Sequence, residues 1–185
     1  MLDHIDEELL GVLFAQATTE SADWRGVPFA VGDDIEVVPI QFLTARYLVF
    51  FMSLVPDYGD VVYDQHFVED WTGGFIPAEQ HRLVKFLRAD AEEQSSIYDS
   101  TLWKLDDPRQ VFQFGRLLME AIQVHAQQVP DIQQYFYKPE SDRLAKFYTR
   151  IFLRNRSACD HAGFTPILEL DAEKGGFYGY QRTTS

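Results

Sequence analysis

The chain has 185 residues, 46% of them hydrophobic and 15% aromatic, which excludes a disordered polypeptide and suits one folded domain with a sizeable core. Its single cysteine, Cys159, excludes an intramolecular disulfide and any structural metal site built on several thiolates. The formal net charge of −13 belongs to the first two thirds, where residues 1–130 hold 22 acidic and 8 basic side chains, against 7 and 8 in residues 131–185.

In chain order, residues 3–17 read as a helix with Ile5, Leu9, Leu10 and Leu13 on one face, closed by a polar break from Thr18 to Asp23. Asp34 to Pro39 reads as a short strand. The apolar segment from Ile40 to Val55 is shorter than the roughly 20 residues a membrane span needs and carries Arg46. It is expected as a core helix or as a helix and strand pair. Pro56-Asp57-Tyr58-Gly59 marks a turn, and Val61 to Trp71 an extended stretch stopped by Thr72-Gly73-Gly74. Pro77 suits the first turn of a helix running to Ala91, with Leu83, Val84 and Leu87 inward. Asp107 followed by Pro108 is a stronger start signal, a cap and then a residue needing no amide donor, for a helix that buries Val111, Phe114, Leu118 and Ile122 and ends before Pro130.

Tyr135, Phe136 and Tyr137 are consecutive, so a strand sends the tyrosines to one face and the phenylalanine to the other, as a ligand platform or as a sheet covered on both faces. From 140 to 156, Leu144, Phe147, Tyr148, Ile151 and Phe152 recur at the spacing of a buried helical face, and Arg143, Lys146, Arg150 and Arg154 form a basic ridge beside it. Gly163 stops that helix, and Phe164 to Asp171 reads as a strand. Ala172 to Gly176 turns the chain into a last strand, Phe177-Tyr178-Gly179-Tyr180, whose Gly179 admits a close backbone approach or marks a bulge. The expectation is a single α+β or α/β domain spanning 1–185, with a mixed central sheet, about five helices and a C-terminal β-hairpin.

The order of elements from about residue 96 to 182, with Phe147-Tyr148 on a helix leading to Gly163-Phe164 and a final strand pair, resembles the C-terminal half of the GNAT superfamily of N-acetyltransferases. The resemblance implies that Ser96 to Leu105 is the strand beside acetyl-CoA, that Pro108 to Gln128 is the helix whose N-terminus meets the pyrophosphate, and that Ile132 to Lys138 is the next strand. It implies Arg109, Gly115 and Arg116 as cofactor contacts and Tyr148 as the acid that protonates the departing thiolate. Phe112-Gln113-Phe114-Gly115-Arg116-Leu117 keeps the central glycine of the family's phosphate loop but lacks its first and last elements, and Thr149 to Ala162 stands between the Phe-Tyr and Gly-Phe pairs.

Other chemistry is sparse. No phosphate loop ending in Lys-Ser or Lys-Thr, no HExxH, no nucleophile elbow and no paired CxxC occurs. His66 lies two residues from Asp64 and near Asp70, a spacing compatible with metal ligands on a strand but more simply an exposed histidine among carboxylates. Cys159 and His161 fall on different faces of a helix, and His125 continues the inward face of its own, so neither reads as a catalytic pair or metal ligand. Between Arg46 and Arg82 there is no Lys or Arg, yet Asp57, Asp60, Asp64, Glu69, Asp70 and Glu79 occur there. Such a field repels nucleic-acid phosphates and favours a cationic partner, either a small-molecule amine or a basic protein.

The first twenty residues carry five carboxylates and no Lys or Arg, unlike a signal peptide, and a cytoplasmic location with no membrane attachment is expected. Two functions fit: a GNAT-like acyltransferase using acetyl-CoA and no metal, or a non-catalytic acidic protein, such as an inhibitor, immunity factor or nucleic-acid charge mimic, that binds a basic partner.

Overall fold

A computed structural model of the protein describes residues 5–17, 23–32, 34–53, 78–91, 105, 107–139, 142–161, 163–167 and 178–183. Its contacts divide the chain into two compact units, residues 1–51 with 85–129, and residues 52–84 with 130–185.

In the first unit, helix α1 (Glu7–Leu13) is capped by Asp6, whose carboxylate accepts from the Leu9 amide at 2.8 Å, and it is shorter than the expected 3–17. Two short strands, β1 (Asp23–Arg25) and β2 (Phe29–Gly32), both pair antiparallel with β3 (Ile35–Phe42). The apolar segment expected to hold a helix is instead the end of β3 and all of β4 (Ala45–Met52), joined at Leu43 and Thr44. Every residue from Val37 to Phe42 and from Tyr47 to Met52 is buried, so both faces of these strands are covered and no polar alternation appears in the sequence. Each such fully buried Val, Leu, Ile or Phe side chain contributes about 1.5–3 kcal/mol. Leu43 makes the tight turn with a positive φ of 55°, a conformation that ordinarily selects Gly or Asn.

The helix expected from Pro77 to Ala91 is, over its described part, strand β5 (His81–Arg88). Leu83, Val84 and Leu87 are buried as expected, but by alternation: Leu83, Lys85 and Leu87 share one face, and Val84 and Phe86 the other. The Phe86 ring meets Phe114 edge-on at 5.4 Å, and this packing of an aromatic on a sheet face outweighs the weak helical spacing. Phe114 belongs to helix α2 (Pro108–Gln128), which begins at the Asp107-Pro108 signal and ends before Pro130 as expected. Phe114 also packs against Phe42 and Tyr47, at 5.6 and 4.7 Å between ring centroids.

The second unit holds the start of β5 and strand β6 (Gln134–Tyr137), which pair in parallel from His81 opposite Gln134 to Leu83 opposite Phe136. Helix α3 (Asp142–His161) follows, then β7 (Phe164–Ile167) and β8 (Tyr178–Arg182), an antiparallel pair in which β8 lies between β7 and β6. Gly163, at φ 75°, stops α3 where expected. The residues from Thr149 to His161 that separate Phe-Tyr from Gly-Phe are continuous helix. Tyr135, Phe136 and Tyr137 are all buried, so the strand is covered on both faces and is no open platform.

The hydrogen-bonded strand order is β1-β3-β4-β5-β6-β8-β7, with β2 also on β3. The sheet is mixed, as expected, but it is accompanied by three helices among the described residues rather than about five, because β4 and β5 take segments read as helical. The strand expected at 61–71, the acidic stretch 57–70 with His66, the strand at 96–104, and the turn at 172–176 lie outside the described residues. Among the described residues no helix is long and apolar enough to cross a membrane.

Candidate functional site

Three of the residues implied as cofactor contacts lie on α2, in the first unit. At its start, an Asp107 carboxylate oxygen accepts from the Arg109 amide at 2.8 Å, and Pro108 supplies no donor. An exposed carboxylate therefore occupies the end of the helix where the positive end of the backbone dipole would draw a phosphate. Arg109 itself is exposed in the first turn, its guanidinium in no ion pair among the described residues. Gly115 is buried two turns into α2, beyond the four amides that a helix start leaves open, so its N–H belongs to the helical ladder. Arg116 is held by Glu120 at 2.6 Å and by Asp23 of β1 at 3.3 Å. The arrangement offers an anion one guanidinium, Arg109, and a second only after Arg116 releases its carboxylates.

Tyr148 lies on α3, in the second unit. It is 6% exposed, with its ring 5.0 Å from that of Tyr137 on β6. Tyr135, Tyr137, Tyr180 and Cys159 are buried as well. Burial, reinforced by the neighbouring Tyr148, Cys159 and Tyr135, holds the Tyr137 phenol well above its usual range. Burial does the same for Tyr180, and pushes the Cys159 thiol up to about 11, with a hydrogen bond to Tyr180 acting the other way on the thiol. Tyr137, Tyr180 and Cys159 therefore stay protonated near neutral pH. Such groups can donate protons, but Cys159 cannot be the thiolate nucleophile of a covalent mechanism.

Sequence reasoning passed over His81. Its Nδ1 accepts from the Ala78 amide at 2.9 Å, which places the proton of the neutral ring on Nε2, and burial lowers its pKa. Its ring meets Phe136 edge-on at 5.3 Å, beside the parallel ladder. Nothing in the local sequence flagged it, because the segment read as a helix would have put it on a solvent face. His125 is fully buried, stacked on Phe51 at 4.0 Å with Nε2 3.6 Å from a Glu36 carboxylate oxygen, which is the core role its inward position indicated. Among the described residues no three His, Cys, Asp or Glu side chains come together as a metal site requires. His66, and the side chain of His161, lie outside the described residues.

Comparison with known proteins finds no family model, no curated protein and no solved structure that matches this chain.

Proposed function

We propose that the chain is an acyltransferase of the GNAT kind, moving an acyl group from acetyl-CoA or a related thioester to a cationic amine. The observation that supports this reading is the run β5, α2, β6, α3, β7, β8. Its parallel pair is bridged by the helix that starts at Asp107-Pro108, and the helix bearing Phe147-Tyr148 leads through Gly163-Phe164 to a closing antiparallel pair. In this reading β5 stands beside the thioester. Arg109 is the phosphate contact, with Gly115 and Arg116 reduced to helix packing and surface pairing.

The neutral amine attacks the thioester carbonyl carbon, the C–S bond breaks, and the CoA sulfur leaves with the electron pair and takes a proton. A carboxylate or water removes the amine proton, and Tyr148 is the candidate donor to the sulfur, provided the sulfur comes within hydrogen-bond reach of its buried hydroxyl. The acidic first two thirds of the chain favour a cationic amine.

Titration of the purified protein with acetyl-CoA and with CoA, by calorimetry and thermal shift, tests the reading, since a ligand of the native state raises apparent stability. Saturable binding is expected, weakened in Arg109→Ala. Tyr148→Phe should bind normally and lose about 10²-fold in turnover. No binding at millimolar ligand overturns the reading.

A second reading, a non-catalytic acidic protein that occupies a basic partner, draws support from the Asp107 carboxylate, which stands where a phosphate would bind. It calls for capture of a basic protein with an affinity that falls steeply with salt.

A further inference from the structure

Five cations lie on α3, and its exposed face carries Arg143, Lys146, Arg150 and Arg154 at spacings of three and four. In the first unit Arg88 is paired with Asp90, and Arg116 with Glu120 and Asp23. Among the described residues, Arg143, Lys146 and Arg150 make no ion pair. Three residues beyond Arg150 stands Leu153, 59% exposed, a large apolar side chain set into the basic face.

Helix α1 has the opposite character. It contains no basic residue, opens with Glu7 and Glu8, both exposed and, among the described residues, in no ion pair, and carries Val12, 61% exposed, one turn after Glu8. Each helix thus shows an uncovered aliphatic side chain beside charges of one sign, and the two signs are complementary.

We propose that α1 of one copy docks on α3 of a second copy, Val12 against Leu153 and Glu7 and Glu8 against Lys146 and Arg150. The contact draws the protein into a salt-sensitive self-association. Local complementarity must overcome the repulsion between two chains of net charge −13, which screening limits to about 8 Å at physiological salt. A second copy satisfies both features of α3, since it brings carboxylates and an exposed aliphatic residue on one helix. A nucleic-acid backbone would satisfy only the charges.

Sedimentation velocity over a concentration series, at about 0.05 M and about 0.5 M salt, gives the test. The native chain should associate, at least tenfold more weakly at the higher salt. Lys146→Glu with Arg150→Glu, and separately Glu7→Lys with Glu8→Lys, should each abolish association while leaving circular dichroism unchanged, because all four positions are exposed. Mixing the two variants should restore it, since each then meets its opposite. A native chain that stays monomeric at low salt overturns the proposal, as does either variant associating like the parent, or a mixture that does not associate. Retention of a single-stranded oligonucleotide by Lys146 and Arg150 on a monomeric protein overturns it in favour of a polyanion site.

Discussion

Replacing Gly179 with alanine puts the packing of the second unit under direct strain. Gly179 of β8 stands opposite Phe136 in the antiparallel ladder that runs from Gln134 and Gln181 to Tyr137 and Tyr178. A Cβ at this position would fall on the Tyr135 carbonyl oxygen, well inside van der Waals contact, and 3.2 Å from the Tyr135 carbonyl carbon. Both are backbone atoms, which cannot swing aside as the end of a side chain can, so β8 and β6 must part. Losing two or three ladder hydrogen bonds costs about 1 kcal/mol each, and loosening the buried Tyr135 and Tyr180 rings adds about 1–2 kcal/mol. The smaller chain entropy of alanine returns about 0.5–1 kcal/mol. The net loss should be about 2–4 kcal/mol, a large share of the roughly 5–15 kcal/mol that holds a domain folded. Gly11→Ala is the control of opposite sign: Gly11 lies in α1 with nothing within 4 Å of its would-be Cβ, and alanine there should gain about 0.5–1 kcal/mol. Urea unfolding followed by circular dichroism measures both. A loss below about 1 kcal/mol in Gly179→Ala would show that the strands yield cheaply and would refute the close-approach account.

Asp107→Asn keeps an acceptor for the Arg109 amide but removes the carboxylate charge, so stability should change by less than about 0.5 kcal/mol while CoA, if it binds at α2, binds several-fold tighter by calorimetry. Asp107→Ala loses the cap and should cost about 1 kcal/mol in urea. Cys159 is raised from 9.0 to about 11 by burial, so its contribution is whole below pH 9, the unfolded value, and is lost as the pH climbs through 11. Unfolding midpoints should fall over that window, a slope that Cys159→Ala flattens, while buried Tyr137 and Tyr180 sustain a further fall above it; identical slopes in the two proteins would contradict the buried-thiol account. Leu43→Gly relieves a left-handed residue of about 1–2 kcal/mol and pays back about 0.5–1 in chain entropy, so the midpoint should rise slightly, and a drop worth more than about 1 kcal/mol would be the contrary result.

What could be read in advance follows from how locally each element is specified. The start of α2 was legible because Asp107 and Pro108 are adjacent and act only on the helix they open. The stop at Gly163 was legible because a positive φ there demands glycine. The contact at Gly179 was half legible, since a glycine amid tyrosines signals either a bulge or a close approach, and the unbroken β6–β8 register shows the latter. By contrast the β3–β4 hairpin turns on Leu43, a residue that never advertises a turn, inside an apolar run whose strands are covered on both faces and so show no alternation. Likewise β5 carries Leu83, Val84 and Leu87 at positions that suit a helix, and only Phe86 meeting Phe114 reveals the strand. Of the implied site, the place of Arg109 in the first turn of α2 was legible from the Asp107-Pro108 start signal. The capture of Arg116 by Asp23 was not, because the partners are far apart in sequence and meet only through the packing of α2 on β1.

The length of α3 bears on which side chains could share a reaction. From Tyr148 to His161 the helix advances about 20 Å at 1.5 Å per residue, whereas the resemblance places the Phe-Tyr pair within a few residues of Gly-Phe. The extra turns carry Cys159 onto the same face as Tyr148, eleven residues on and so about three turns away, and there it meets Tyr180 of the closing strand pair. Both ends of this face act on Tyr137, which feels Tyr148 and Cys159 together. If a thioester sulfur reaches this unit, the hydroxyl and thiol groups at hand are therefore those of Tyr148, Tyr137, Tyr180 and Cys159 rather than one tyrosine. Tyr148→Phe alone would then leave residual turnover that the further loss of Tyr137 removes, whereas a single acid at Tyr148 would make the second substitution silent. The double variant with Tyr137→Phe, measured against each single variant, separates these cases, because groups that substitute for one another give non-additive losses.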